Sequence, residues 1–100
     1  MKHFLIRYSL KHGSEEQRSA EIAAFIAALS ADPDVSGKIS YRCLKARESP
    51  DYYHFVEAAD EEAVKVLQSR EFFSRYTDQT DVASGDGVDV IPLEFIAATA

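Results

Sequence analysis

Phe4, Ile6, Tyr8 and Leu10 alternate with His3, Leu5, Arg7 and Ser9. A period of two predicts a strand with one wholly apolar face and one mixed face. Lys11-His12-Gly13 follows as a turn, and Ser14 with Gln17 has the spacing of a capping box. Glu15 and Glu16 suit the positive end of the helix dipole that begins there. Within this helix Ile22, Phe25, Ile26 and Leu29 fall at i, i+3, i+4 and i+7, while Ala23, Ala24, Ala27 and Ala28 raise its propensity. Asp32-Pro33-Asp34 ends it.

The second half repeats the theme. Ile39 to Ala46 reads as extended, a turn falls at Glu48-Ser49-Pro50-Asp51, and Tyr52 to Glu57 is rich in β-formers, which predicts a hairpin of strands two and three. Asp60 stands at an N-cap position with Glu61 and Glu62 in the first turn; Ala63, Val66, Leu67, Arg70 and Phe73 then make a mostly apolar helical stripe. From Thr77 to Gly87 only Val82 is a sizeable apolar residue, and the stretch reads as a surface loop. Val88 to Ile96 supplies a last strand.

The order β-α-β-β-α-β predicts an α+β, ferredoxin-like fold, a four-stranded antiparallel sheet with two helices on one face. A length of 100 residues fits one domain, residues 1–100. Pro92 has no N-H for a ladder and belongs on an edge strand. Strand four is apolar on both sides, with Ile91, Leu93 and Phe95 on one and Val88, Val90 and Ile96 on the other, although two helices cover only one face of the sheet. A second copy of the chain is the expected cover, so a homodimer is predicted whose interface takes in Leu5, Val56 and part of strand four.

Charge and cysteine content narrow the partners. Seventeen Asp and Glu against eleven Lys and Arg leave a net charge of -6 with no basic stripe, which argues against nucleic acid and anionic membranes. Arg7 interrupts the only apolar run near the N-terminus, and no run approaches a membrane span. The lone Cys43 rules out an internal disulfide and fits a reducing cytoplasm. Three scattered histidines without i, i+4 pairing predict no metal site, and no phosphate-binding glycine loop or other cofactor motif is present.

His54-Phe55-Val56-Glu57-Ala58-Ala59-Asp60-Glu61-Glu62-Ala63, running on through Ser69, Phe73 and Tyr76, combines a strand ending in an acid, an Asp-Glu-Glu-Ala helix start and a Phe about ten residues later. In this it resembles the dimeric α+β-barrel superfamily and, within it, the antibiotic biosynthesis monooxygenase-like group. The resemblance implies two sheets paired face to face into a barrel, a pocket in each protomer, and in some members oxidation of aromatic, quinol-like substrates without metal or flavin. The histidines that the group often carries on helix two fall at about Leu67 and Phe72 here. The Asn, Trp and axial His of haem-degrading relatives fall at Arg7, Ala58 and Thr77, so no catalytic residue carries over and haem is not implied.

Strand faces supply a candidate site independently. Phe4, Ile6 and Tyr8 must face the helices, which sends His3, Leu5 and Arg7 to the opposite side. If Phe55 belongs with the core, then Tyr52, His54 and Val56 join Arg7, and directly opposed residues have Cβ atoms roughly 4.5–5.5 Å apart. On this reading Arg7 and His54 are the candidate catalytic pair: the guanidinium keeps the imidazole neutral, His54 takes a phenolic proton and Arg7 holds the anion. His3, Tyr52 and Val56 would contact the ligand. A plainer reading also fits, in which the two side chains solvate a polar interior. The expected function is accordingly a small-molecule-binding homodimer, either a cofactor-independent monooxygenase for an aromatic or polyketide-like substrate or a non-catalytic ligand-binding or stress-response protein.

Overall fold

The computed structural model describes Met1–Ala100. Its elements run β1 (Lys2–Ser9), α1 (Glu15–Ala31), β2 (Ile39–Lys45), β3 (Asp51–Ala58), α2 (Glu61–Gln68), α3 (Glu71–Ser84) and β4 (Asp89–Leu93). The strands form one antiparallel sheet in the order β2-β3-β1-β4. β2 and β4 are free edges, so the sheet is open and not closed into a barrel, and three helices accompany it in place of two. Both points correct the expected fold class. Four strands are about half the number that closes even a small barrel around filled side chains. Pro92 lies in β4 at the edge, opposite Phe4.

Local chemistry sets the helix ends. Ser14 caps α1, its side chain accepting from Gln17 N at 3.0 Å, and Asp60 caps α2 by accepting from Ala63 N at 2.8 Å. The second helical stretch breaks after Gln68. Ser69 turns its hydroxyl back onto Val66 O at 2.6 Å, and Arg70 is extended, its guanidinium drawn to Asp32 at 2.8 Å and Asp34 at 2.5 Å in the loop after α1. Arg70 thus anchors the kink between α2 and α3 and does not continue an apolar stripe. The segment expected to be a loop from Thr77 is mostly helix: α3 runs to Ser84 and stops at Gly85, whose φ of 61° suits glycine at a left-handed helix end.

The helices pack on the face that carries Phe4, Ile6 and Tyr8. Opposed residues of an antiparallel pair share a face. Phe4 stands opposite Val56, Ile6 opposite His54 and Tyr8 opposite Tyr52, so the even residues of β3 lie under the helices with them. Phe25 and Leu29 of α1, Leu67 of α2 and Tyr76 of α3 close over Ile39, Val56 and Ala58 in one core. The other face presents Leu5, Leu44, Tyr53, Phe55, Ile91 and Leu93 with no helix above them; Phe55 is 42% exposed. Val56, expected on that face, is buried under the helices, and Phe55 takes its place.

Candidate functional site

A cavity of about 400 Å³ lies between the helical face of the sheet and α2 and α3. Its walls are largely apolar, with Phe4, Ile6, Val56, Val64, Leu67 and Phe73 among them, while Tyr41, His54, Tyr76 and Thr80 bring polar atoms to one side. Volume and lining are those of a small-molecule site. α3 supplies Tyr76, Thr77, Thr80 and Asp81 at helical spacing, so the stretch that looked like a loop forms a wall of the cavity.

Behind the polar wall runs a buried chain of hydrogen bonds. Arg18 of α1 is 1% exposed and donates from Nε to Tyr8 Oη at 2.8 Å, from Nη2 to Thr80 Oγ1 at 2.7 Å and from Nη1 to Glu21 Oε1 at 3.2 Å. Its guanidinium lies 5.1 Å from the centre of the Tyr8 ring and 5.0 Å from that of Tyr76, within cation-π range of both. Tyr8 Oη is 3.1 Å from His54 Nε2, and His54 Nδ1 is 3.3 Å from Tyr76 Oη. Thr80 in turn donates to Tyr76 O at 2.8 Å, tying the Arg18 contact to the α3 backbone. Every charged or polar head in this cluster is held by another, which is what makes its burial tolerable.

The electrostatics follow from burial. His54 is 1% exposed, and removal from water, reinforced by the Arg18 charge, pulls its pKa from 6.5 to about 4. The imidazole is neutral at neutral pH. Burial pushes the Tyr8 phenol up to about 12 although Arg18 pulls the other way, and it raises Tyr41 and Tyr76 further. Cys43, opposite His54 in the register, is pushed up to about 11 by burial and stays a thiol. The wall therefore offers neutral phenols and a neutral imidazole backed by one permanent cation.

The expected Arg7–His54 pair does not form. Arg7 stands opposite Tyr53 on the open face and pairs with Asp89 at 3.2 Å, whereas His54 points to the helices. The physical reason is the parity of β3: Asp51 and Glu57 share the face of Phe55, and charged ends favour the uncovered side. His3 also lies on the open face, 3.6 Å from Glu57 and stacked on Phe95. Tyr52 is buried on the helical face but away from the cavity, stacked on Tyr8 with ring centres 5.2 Å apart, and its hydroxyl has no partner. Of the five residues expected at the site, His54 and Val56 line the cavity.

Arg18 and Tyr76 were not foreseen as site residues. Arg18 carried a readable signal, since Arg18, Ile22, Phe25 and Leu29 fall on one helical stripe and a charge in phase with a buried stripe needs a buried partner. No three His, Cys, Asp or Glu side chains converge as a metal site would require, and no helix is long and apolar enough to cross a membrane.

No family model and no curated protein matches the sequence. Solved structures do match in fold. A structure described as an antibiotic biosynthesis monooxygenase superposes with a TM-score of 0.77 at 13% identity, over 97% of this chain and 100% of the other. SnoaB, a cofactor-independent oxygenase from Streptomyces nogalater, gives 0.65 at 16% identity, over 99% of this chain and 94% of its own. A dimeric ferredoxin-like protein of unknown function from Jannaschia sp. CCS1 gives 0.69 at 17% identity, over 95% and 100%. This chain has the ferredoxin-like fold of the antibiotic biosynthesis monooxygenase structures, and at these identities the likeness is one of fold.

Proposed function

We propose that this protein binds a small, planar, mostly apolar molecule between its sheet and α2 and α3, as a homodimer, and that it acts on an aromatic substrate as a cofactor-independent monooxygenase. The observation that carries the binding reading is the cavity itself: about 400 Å³, apolar on most sides, with Tyr41, His54 and Tyr76 on one. Aromatic walls suit a planar ring system, and a few convergent polar atoms set its orientation.

The oxidative step draws its support from SnoaB and from the neutral, cation-backed wall. In cofactor-free oxygenation the substrate itself must reduce dioxygen, so negative charge develops on it and needs stabilisation away from water. For an activated aromatic methylene the balance closes with dioxygen alone: one oxygen atom becomes the new carbonyl, and the other leaves as water with the two hydrogens lost from carbon. Arg18 supplies a fixed positive charge beneath the wall, and Tyr76 a hydroxyl on it. Arg7, on the other face of the sheet, has no part in this reading.

Dimerisation rests on the open face. Leu5, Leu44, Tyr53, Phe55, Ile91 and Leu93 form an uncovered apolar surface larger in kind than the scattered residues of an ordinary exterior, and a relative in fold is described as dimeric. A second copy is the expected cover.

Binding of 2-naphthol, followed by its fluorescence, tests the cavity. Val64 on α2 lines it and is half-buried at the margin of the core, so Val64→Trp fills space from the cavity wall. Tight binding by the wild type and a loss of at least about tenfold in the variant are expected. Equal binding by both would place the ligand elsewhere. Dioxygen uptake with anthrone above the spontaneous rate, with no metal or flavin added, separates the monooxygenase from a non-catalytic binder.

A further inference from the structure

We infer that the buried chain from Arg18 to Tyr76 carries its protons in one direction only, toward the cavity, so that the site selects ligands presenting a hydrogen-bond acceptor, a ketone, quinone or phenolate oxygen, to Tyr76 Oη. The inference deepens the cavity-binding reading above and rests on it.

The direction follows from counting donors. A guanidinium has donors and no lone pair to accept with, so at 2.8 Å Arg18 Nε donates and Tyr8 Oη accepts. Tyr8 has one proton and one remaining neighbour, His54 Nε2 at 3.1 Å, to which it donates. A neutral imidazole has one N-H, and with Nε2 accepting, that proton sits on Nδ1. His54 Nδ1 therefore donates to Tyr76 Oη at 3.3 Å. Tyr76 Oη makes no other side-chain hydrogen bond, so its proton is free for a ligand in the cavity that Tyr76 lines, with Tyr41 and Cys43 beside it as the competing acceptors within the wall.

The reverse order fails at Tyr8. There the hydroxyl oxygen would accept from both Arg18 and His54 and its own proton would be stranded away from the cavity, which Tyr76 lines and Tyr8, equally buried, does not. A buried donor without a partner is costly, whereas the forward order moves the unpaired proton to the one place a ligand can meet it. Each donor in such a run polarises the next, so the terminal hydroxyl of a chain that starts on a cation is a stronger donor than an isolated phenol.

Two consequences set the chemistry. The only lone pair of the neutral His54 is taken by Tyr8, so His54 acts as a positioning residue and not as a base facing the ligand. Thr80 is likewise occupied, accepting from Arg18 and donating to Tyr76 O. The wall gives a proton or a hydrogen bond and holds an oxyanion; it does not remove a proton through this imidazole.

Fluorenone and fluorene, matched in shape and differing in one carbonyl, test the selection, and the ratio of their affinities cancels the common apolar contribution. Tyr76→Phe keeps the ring that stacks on Phe25 and removes only the hydroxyl. The fluorenone-to-fluorene affinity ratio is expected to fall roughly tenfold in the variant. The carbonyl stretch of bound fluorenone should lie at lower wavenumber in the wild type than in Tyr76→Phe. An unchanged ratio and an unmoved stretch would overturn the proposal, because Tyr76 would then be donating inward. Binding of neither probe by the wild type would defeat the cavity reading and the ligand selection with it. Independently of any ligand or variant, nitrogen NMR of wild-type His54 should show Nδ1 protonated and Nε2 bare; a proton on Nε2 reverses the chain and overturns it.

Discussion

Arg18 and Tyr8 meet through a 2.8 Å hydrogen bond between a guanidinium and a phenol that are both buried, at the junction of α1 with the sheet. The same guanidinium holds Thr80 of α3 and Glu21 of its own helix, so one side chain ties three elements together. Removing it strands the groups it satisfies. Arg18→Met, which keeps much of the volume, is expected to destabilise the fold by about 2–4 kcal/mol in urea unfolding. Replacing Glu21 by Leu in the same background should recover part of that loss, since the orphaned carboxylate goes too. A cost below about 1 kcal/mol would mean that water replaces the guanidinium without penalty.

Phe25 is the centre of the aromatic core. It stacks on Tyr76 with ring centres 4.0 Å apart and planes 7° apart, and meets Tyr41 edge-on at 5.0 Å. Phe25→Ala should cost about 3–5 kcal/mol through lost burial and the void left behind. Loss of the Tyr76 ring support should also weaken 2-naphthol binding, because Tyr76 is part of the cavity wall. A stability change within about 0.5 kcal/mol, the range of an ordinary surface substitution, would contradict this packing.

The four strands and the starts of α1 and α2 were readable because the strongest periodic signals were undivided. Phe4, Ile6 and Tyr8 leave one assignment for β1, and Ser14 and Asp60 mark helix starts by their capping chemistry. β3 was harder, since both of its faces carry aromatic or apolar residues: Tyr52, His54 and Val56 on one, Tyr53 and Phe55 on the other. Hydrophobicity alone chose Phe55 for the core. Asp51 and Glu57, which share its parity, held the deciding information, and one wrong parity moved His54 across the sheet to Arg7. α3 was hidden for a different reason. Its inward residues after Tyr76 are Thr80, Ala83 and Ser84, small or polar groups that hydrogen bond or pack closely without giving an apolar stripe. Closure was expected from the family likeness, and the open order β2-β3-β1-β4 of one chain does not supply it.

Phe55 tests the open face. It stands opposite Leu5 on one side and Arg42 on the other, away from every helix, so a charge there should leave the protomer core untouched. Sedimentation at micromolar concentration is expected to give twice the chain mass for the wild type and the chain mass for Phe55→Asp, with circular dichroism unchanged. A wild-type monomer under those conditions would reject the dimer, and a dimeric Phe55→Asp would move the interface off this face.

His54 links the buried chain to the pH dependence of folding. Its pKa is about 4 in the fold, chiefly through burial and then through Arg18, against 6.5 when free. Above pH 6.5 the imidazole is neutral in both states and contributes no pH dependence. As the pH falls from 6.5 toward 4 the unfolded chain binds a proton that the native chain does not, so the unfolded state gains and stability drops. The loss should amount to about 3 kcal/mol across that window and level off below it, where both states are protonated. Asp32 and Asp51, whose carboxyls are held low by Arg70 and by Ser9 and Ser49 respectively, lose their stabilisation as the pH falls below the ordinary carboxylate range, which keeps the two effects apart. Thermal unfolding between pH 7 and 4 should therefore show a falling midpoint in the wild type. His54→Gln, which cannot take up the proton, should start lower and stay flatter across the same interval. A wild-type midpoint that is constant from pH 6.5 to 4.5 would mean that His54 is charged in the native state, and the neutral wall behind the cavity would be lost with it.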